Sequence, residues 1–209
     1  MTTTAQPTCT FIKARIIAAS LRALMAATCL LLAAPHAMAQ TGDAQYFTEV
    51  APGVVKDSRT GLEWMRCSLG QQWSATANTC TGEVKKYNWQ GAQDIAKKFN
   101  SMGGYGGKAD WRVPTVRELQ SIRYCSKGFT TSMQDLQDGQ PKVPLYCNDG
   151  SAKPSIDMAT FPATPVTWYW SSTPYAGDSS YAWLVGFGYG SIIDYHDYRD
   201  DNLAVRLVR

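Results

Sequence analysis

The amino-acid sequence predicts an α+β domain, and three observations carry that expectation. Two segments, near residues 88–101 and 115–122, place apolar residues at helical spacing. Runs rich in β-branched and aromatic residues lie on either side of them. Gly, Asp, Ser and Pro punctuate the runs, so the order reads as two strands, two helices, a long loop and several antiparallel strands.

Val54-Val55-Lys56 and Leu62-Glu63-Trp64-Met65 are the first two strands, joined by the turn Asp57-Ser58-Arg59-Thr60-Gly61. Residues 67–82 form a cysteine-bounded loop. The first helix starts at Asn88, whose side chain suits an N-cap, and sets Ala92, Ile95, Ala96 and Phe99 at i, i+3, i+4 and i+7. Lys97 and Lys98 complement the negative end of its dipole. The run Ser101-Met102-Gly103-Gly104-Tyr105-Gly106-Gly107 ends it. That run follows a helix instead of opening one, and no Gly-Lys-Ser/Thr closes it, so it is not a phosphate loop.

Pro114 precedes the second helix, and Thr115-Val116-Arg117-Glu118 has the form of a capping box. Val116, Leu119 and Ile122 give its apolar stripe. Residues 124–165 have little periodicity and read as a long inserted loop. Strands return with Trp168-Tyr169-Trp170-Ser171-Ser172, Ala182 to Phe187, Ser191 to Asp194, and Ala204 to Arg209. Gly188-Tyr189-Gly190 joins the middle two as a tight hairpin.

The start of the chain reads as an export signal over residues 1–39. Lys13, Arg15 and Arg22 give a positive flank, a Leu- and Ala-rich stretch runs to Ala34, and Ala37-Met38-Ala39 offers a cleavage site before Gln40. Pro35 and His36 end the apolar run too early for a membrane span. Residues 40–53 are a polar leader, loose at least to Glu49, and 54–209 the domain proper. Removing the signal takes three basic residues and no acids from a chain with 20 basic and 17 acidic residues, so the mature protein is near neutral. A polyanionic partner such as nucleic acid is therefore not predicted. No membrane span is expected after cleavage, and the protein is expected in the periplasm, secreted or at the cell surface.

Four cysteines remain after cleavage: Cys67, Cys80, Cys125 and Cys147. They allow three pairings. Cys67–Cys80 with Cys125–Cys147 is favoured, since each pair brackets one polar, turn-rich loop. No CxxC supports thiol exchange.

Four segments in order carry a family resemblance. They are Thr60-Gly61-Leu62-Glu63-Trp64, the block from Gly107 through Asp110-Trp111-Arg112-Val113-Pro114-Thr115 to Leu119, Tyr169-Trp170-Ser171-Ser172-Thr173, and Ala204-Val205-Arg206-Leu207-Val208-Arg209. Together they resemble the DUF1566 family, also named for the C-terminal domain of the Legionella collagen-like adhesin. The resemblance implies a C-type lectin-like fold, related to the formylglycine-generating enzymes, with two helices packed on a small twisted antiparallel sheet and long loops. It also implies exported proteins that act in surface attachment. Leu207 stands where many members carry a cysteine, and no collagen-like repeat lies upstream. In physical terms Trp111 is expected to fill the space under the second helix, and Arg112 to pair with a carboxylate or carbonyl of a neighbouring loop.

Catalytic constellations are scarce, and no enzyme is predicted. His196 is the single histidine once His36 leaves, and no G-x-S-x-G accompanies it. An oxidase of the formylglycine-generating kind would need free cysteines to serve copper, and disulfides remove them. Asp194, Asp197 and Asp201 could suit calcium, but a solvated polar turn is the favoured reading, and no metal or cofactor is expected. Ten aromatic residues fall between Trp168 and Tyr198. Alternation puts Trp168, Trp170, Trp183 and Phe187 on the core face. Tyr189, Tyr195 and Tyr198, beside Asp194 and Asp197, are the candidate ligand-binding residues, because exposed tyrosines near carboxylates can stack on and hydrogen-bond a sugar. The expected partner is a glycan or a surface protein, and the oligomeric state is left open. The rival reading is an envelope assembly subunit that packs this aromatic surface on a partner chain.

Overall fold

A computed structural model describes residues 43–193 and 198–209. The expected signal segment, and Asp194, Tyr195, His196 and Asp197, lie outside the described residues.

A short 3-10 turn, Asp43–Tyr46, leads into β1 (Phe47–Ala51), which pairs antiparallel with β2 (Val54–Asp57), itself paired with β3 (Glu63–Met65). The polar leader is thus not loose throughout. Phe47 lies opposite Asp57 and packs edge-on against Phe161, with ring centroids 5.3 Å apart. The strand escaped detection because a lone Phe among polar residues gives no period-2 signal. The turn after β2 closes on Asp57, whose buried carboxylate accepts hydrogen bonds from the Arg59 amide and guanidinium at 2.9–3.0 Å.

Within the first cysteine-bounded loop, β4 (Gln72–Ser74) and β5 (Thr79–Thr81) form a ribbon, and Cys67 is bonded to Cys80 with Cα atoms 5.5 Å apart. After β6 (Lys86–Tyr87) comes α1 (Trp89–Ser101), capped by Asn88 Oδ1, which accepts from the Gly91 amide at 2.7 Å. Helix α2 (Val116–Ser121) starts at Thr115, and its capping box is formed on both sides. The long loop carries only a two-residue ribbon, β7 (Met133–Gln134) with β8 (Val143–Pro144), and the Cys125–Cys147 disulfide. Strands β9 (Trp168–Pro174), β10 (Ala182–Gly186), β11 (Ser191–Ile193) and β12 (Leu203–Ala204) follow. They join β6 in one sheet of order β11-β10-β9-β12-β6, antiparallel except where β12 lies parallel to β9.

Both faces of this sheet are buried, which corrects the single core face expected of its aromatic residues. Trp170 lies opposite Leu184, and Tyr169 opposite Val185, so successive pairs point to opposite faces. Trp170, Leu184 and Ala182 pack with Ala92 and Ala96 of α1, whereas Tyr169, Trp183 and Val185 pack with Val116, Leu119 and Ile122 of α2. Trp168 is only half-buried and lies over Gly186, its cross-strand partner, where a side chain would collide with the indole. A strand buried on both sides has no polar face, so alternation could not reveal which aromatic went where.

Trp111 is also placed differently from expectation. It belongs to the α1 side of the core, its indole Nε1 donating to the carbonyls of Tyr105 and Lys108 at 3.1 Å. Asn100 of α1 clamps its backbone, with bonds of 2.7 and 3.0 Å. Residues 205–209 run between two partners: Met65 and Glu63 bond to Leu207 and Arg209 on one side, Arg112 to Val208 on the other. Arg206 in this segment is completely buried without a carboxylate; it donates to the carbonyls of Met65 and Arg66 and to Thr164 Oγ1.

Candidate functional site

The long loop and the β10–β11 hairpin meet to build a cleft. Residues Phe187–Gly190 connect Gly186 to its partner Ser191 and carry Tyr189 at the tip, 67% exposed. Three backbone hydrogen bonds hold this tip to the loop: Ser155 N to Phe187 O at 2.6 Å, Ile192 N to Leu145 O at 3.3 Å, and Cys147 N to Tyr189 O at 3.4 Å. Beneath it Arg123, at the end of α2, donates to the carbonyls of Pro144 at 2.6 Å, Leu145 at 3.3 Å and Gly190. Burial pushes the Arg123 guanidinium down to about 10, so it remains charged at neutral pH. The Cys125–Cys147 bond ties the start of the loop, two residues after this arginine, to the segment that meets the hairpin tip.

The resulting cleft has a volume of about 270 Å³ and is walled by Tyr146, Asn148, Ser151, Lys153 and Tyr189. The Lys153 ammonium stands 3.9 Å from the centre of the Tyr189 ring. An exposed aromatic face, an ammonium, an amide and a hydroxyl on a braced backbone can hold a polar ligand by stacking and hydrogen bonds.

Of the residues expected at the site, Tyr189 is in place and Tyr198 is elsewhere. Tyr198 is 57% exposed, but it stacks on Tyr181 with centroids 4.9 Å apart. Tyr181 precedes β10 and Tyr189 follows it, so the two lie at opposite ends of a strand about 17 Å long at roughly 3.4 Å per residue. They do not share a patch. Tyr195, Asp194 and Asp197 lie outside the described residues. Among the described residues, no group of three or more His, Cys, Asp or Glu is arranged to hold a metal ion.

A second hollow, of about 620 Å³, was not anticipated. Trp73 of β4, Phe99, Met102 and Tyr105 form its apolar wall, with Gln71, Gln72 and Lys85 among its polar residues. Trp73 sits in a polar loop and Tyr105 in a glycine run; the signal for them was an aromatic ring stranded where no periodic pattern could bury it.

A family model described as the Lcl C-terminal domain matches residues 53–209. The chain belongs to that family. A comparison with curated proteins gives no match.

In this Lcl C-terminal domain the block from Asp110 to Leu119 is scaffold. Asp110 accepts from Arg209 Nε at 2.7 Å, tying the block to the final strand segment. Arg112 makes a two-pronged pair with Glu118 at 2.7 Å, so its carboxylate partner is that of the capping box and not one from a neighbouring loop. Leu207, in the position noted for cysteine, is fully buried. The two disulfides of the Lcl domain fit a protein of an oxidising compartment, extracellular or periplasmic. No helix among the described residues is long and apolar enough to cross a membrane.

Proposed function

We propose that this domain is a non-catalytic, exported binding or adhesion module that contacts a glycan or a surface protein through the Tyr189 cleft. The observation that carries the reading is the bracing of Tyr189: an exposed ring on a hairpin tip held by Arg123, three backbone bonds and the neighbouring disulfide. A residue fixed before its partner arrives loses little freedom on binding, which favours affinity. The lectin-like arrangement belongs to the same reading, supported by two helices packed on a five-stranded, mostly antiparallel sheet with long loops. So does the absence of catalysis, supported by four cysteines engaged in disulfides.

The test is a glycan array and a cell-surface pull-down with residues 40–209, comparing wild type with Tyr189→Ala and Tyr198→Ala. Loss of about tenfold or more in affinity for Tyr189→Ala, with Tyr198→Ala unchanged, is the expected result. Unaltered binding by Tyr189→Ala rejects the site. A stable oligomer in solution that shields Tyr189 from iodination would instead make the protein an envelope assembly subunit.

A further inference from the structure

We infer that the Trp73 hollow is a second subsite of the same binding surface, and that the ligand is an uncharged glycan chain long enough to engage both ends. The inference rests on the reading of Tyr189 for one of those ends.

Trp73 is only half-buried, and its orientation is fixed from behind. The Arg66 guanidinium covers its ring at 4.0 Å, and that arginine is anchored to the carbonyls of Thr160 and Ala159 at 2.8 and 2.9 Å. Tyr105 is fixed too, by reciprocal backbone bonds with Lys108 at 2.9 and 3.0 Å and by the Trp111 indole on its carbonyl. Gly53 fills the space between the two aromatic residues. Its backbone has φ of +74°, and a Cβ there would stand 2.8 Å from Trp73 Cβ and 2.9 Å from Tyr105 Oη. The Cys67–Cys80 bond closes the base of the ribbon that carries Trp73. Rigid aromatic surface beside the amides of Gln71 and Gln72 is what a sugar ring requires: its C–H face stacks, and its hydroxyls find donors and acceptors.

The two ends are joined by further concavities. Gln71 is also a wall of a hollow lined by Val166 and Thr167. Val166 and Thr167 in turn line a smaller one bounded by Trp168 and Tyr189. Each hollow shares lining residues with the next, so the hollows lie in series between Trp73 and Tyr189, an arrangement suited to an extended chain. The charged residues along it are mixed in sign: Lys85, Lys86 and Lys153 against Glu83 and Asp149. Such a path has no single-sign field to attract a polyanion, and this selects an uncharged chain.

The experiment is titration calorimetry of residues 40–209 with cellohexaose, maltohexaose, mannohexaose and chitohexaose, their disaccharides, and a heparin hexasaccharide. At least one neutral hexasaccharide is expected to bind about tenfold or more tightly than its disaccharide. Trp73→Ala should weaken it by about tenfold, as should Tyr189→Ala. Met102→Arg gives a second probe of the hollow that spares the core, because Met102 is 70% exposed, and it should weaken the hexasaccharide likewise. If Tyr189→Ala abolishes binding while Trp73→Ala and Met102→Arg leave it intact, the second subsite is wrong and the Tyr189 reading stands. If only the hollow variants weaken binding, Tyr189 is not part of the site and the two-ended chain falls with it. Binding of the heparin fragment alone, or of no saccharide, overturns the inference.

Discussion

Gly190 lies against the sulfur of Cys147 so closely that a Cβ at this position would overlap it. The glycine also has φ of +59°, a conformation in which other residues are strained. Gly190→Ala should therefore cost about 2 kcal/mol or more, because either the hairpin tip or the disulfide must shift. Calorimetry should record the loss of melting temperature. Hydrogen exchange should locate faster opening at Cys147 and Ile192, whose amides bond across this junction.

Arg123 should be irreplaceable by lysine. Its planar donors reach three carbonyls on two segments, Pro144 and Leu145 of the long loop and Gly190 of the hairpin, and an ammonium cannot cover that spread. Arg123→Lys and Arg123→Met should each lose about 2–3 kcal/mol in urea unfolding, the second because the carbonyls are left bare. Burial lowers this group to about 10 in the folded chain, well below its ordinary value. The cost of holding the charge inside is therefore present below about pH 10 and is relieved as pH climbs above it.

Acid should weaken the second helix through Glu118. Burial alone would raise its carboxyl, but the Arg112 guanidinium and the Thr115 amide outweigh burial and hold it below the usual carboxylate range. A group depressed in the folded state stabilises above its ordinary value, near 4.5, and that contribution disappears as pH falls through the folded value. Glu118→Gln should be about 1 kcal/mol less stable at neutral pH and show a flatter decline below pH 4.5 than wild type. Denaturant titrations at several pH values would measure both.

The two disulfides should separate in their effects. Each ought to contribute about 3 kcal/mol through its constraint on the unfolded chain, with loops of 13 and 22 residues. Serine replacement of Cys125 and Cys147 should loosen the Tyr189 cleft, whereas replacement of Cys67 and Cys80 should loosen the ribbon under Trp73. Melting curves give the first quantity; quenching of Trp73 fluorescence, with the other indoles as reference, reports the second.

Local rules carried the sequence reading as far as local interactions reach. Asn88, Thr115 and Glu118 act on amides within three residues, and each does what its position implies. The strands around Asp57–Gly61 were equally legible, since a turn and two short alternating runs suffice. What escaped depends on distant partners. Trp111 packs toward α1 because Asn100 captures its backbone, and nothing near Trp111 announces that. Tyr189 and Tyr198 are nine residues apart in sequence but divided by the length of β10, so clustering in the chain was mistaken for clustering in space. Trp73 and Tyr105 both crowd Gly53, where any side chain would collide with them.

The stretch from Leu203 to Val208 has an implication for how the molecule is made. Its residues are inaccessible to solvent and supply the neighbour of β9 as well as hydrogen bonds to Met65, Leu69 and Arg112. A ribosome delivers that stretch after every other described element. Until then Trp170 and Tyr169 sit on an open edge, and no earlier intermediate can shut either half of the interior. Both halves of the interior therefore close together, when this one stretch takes its place.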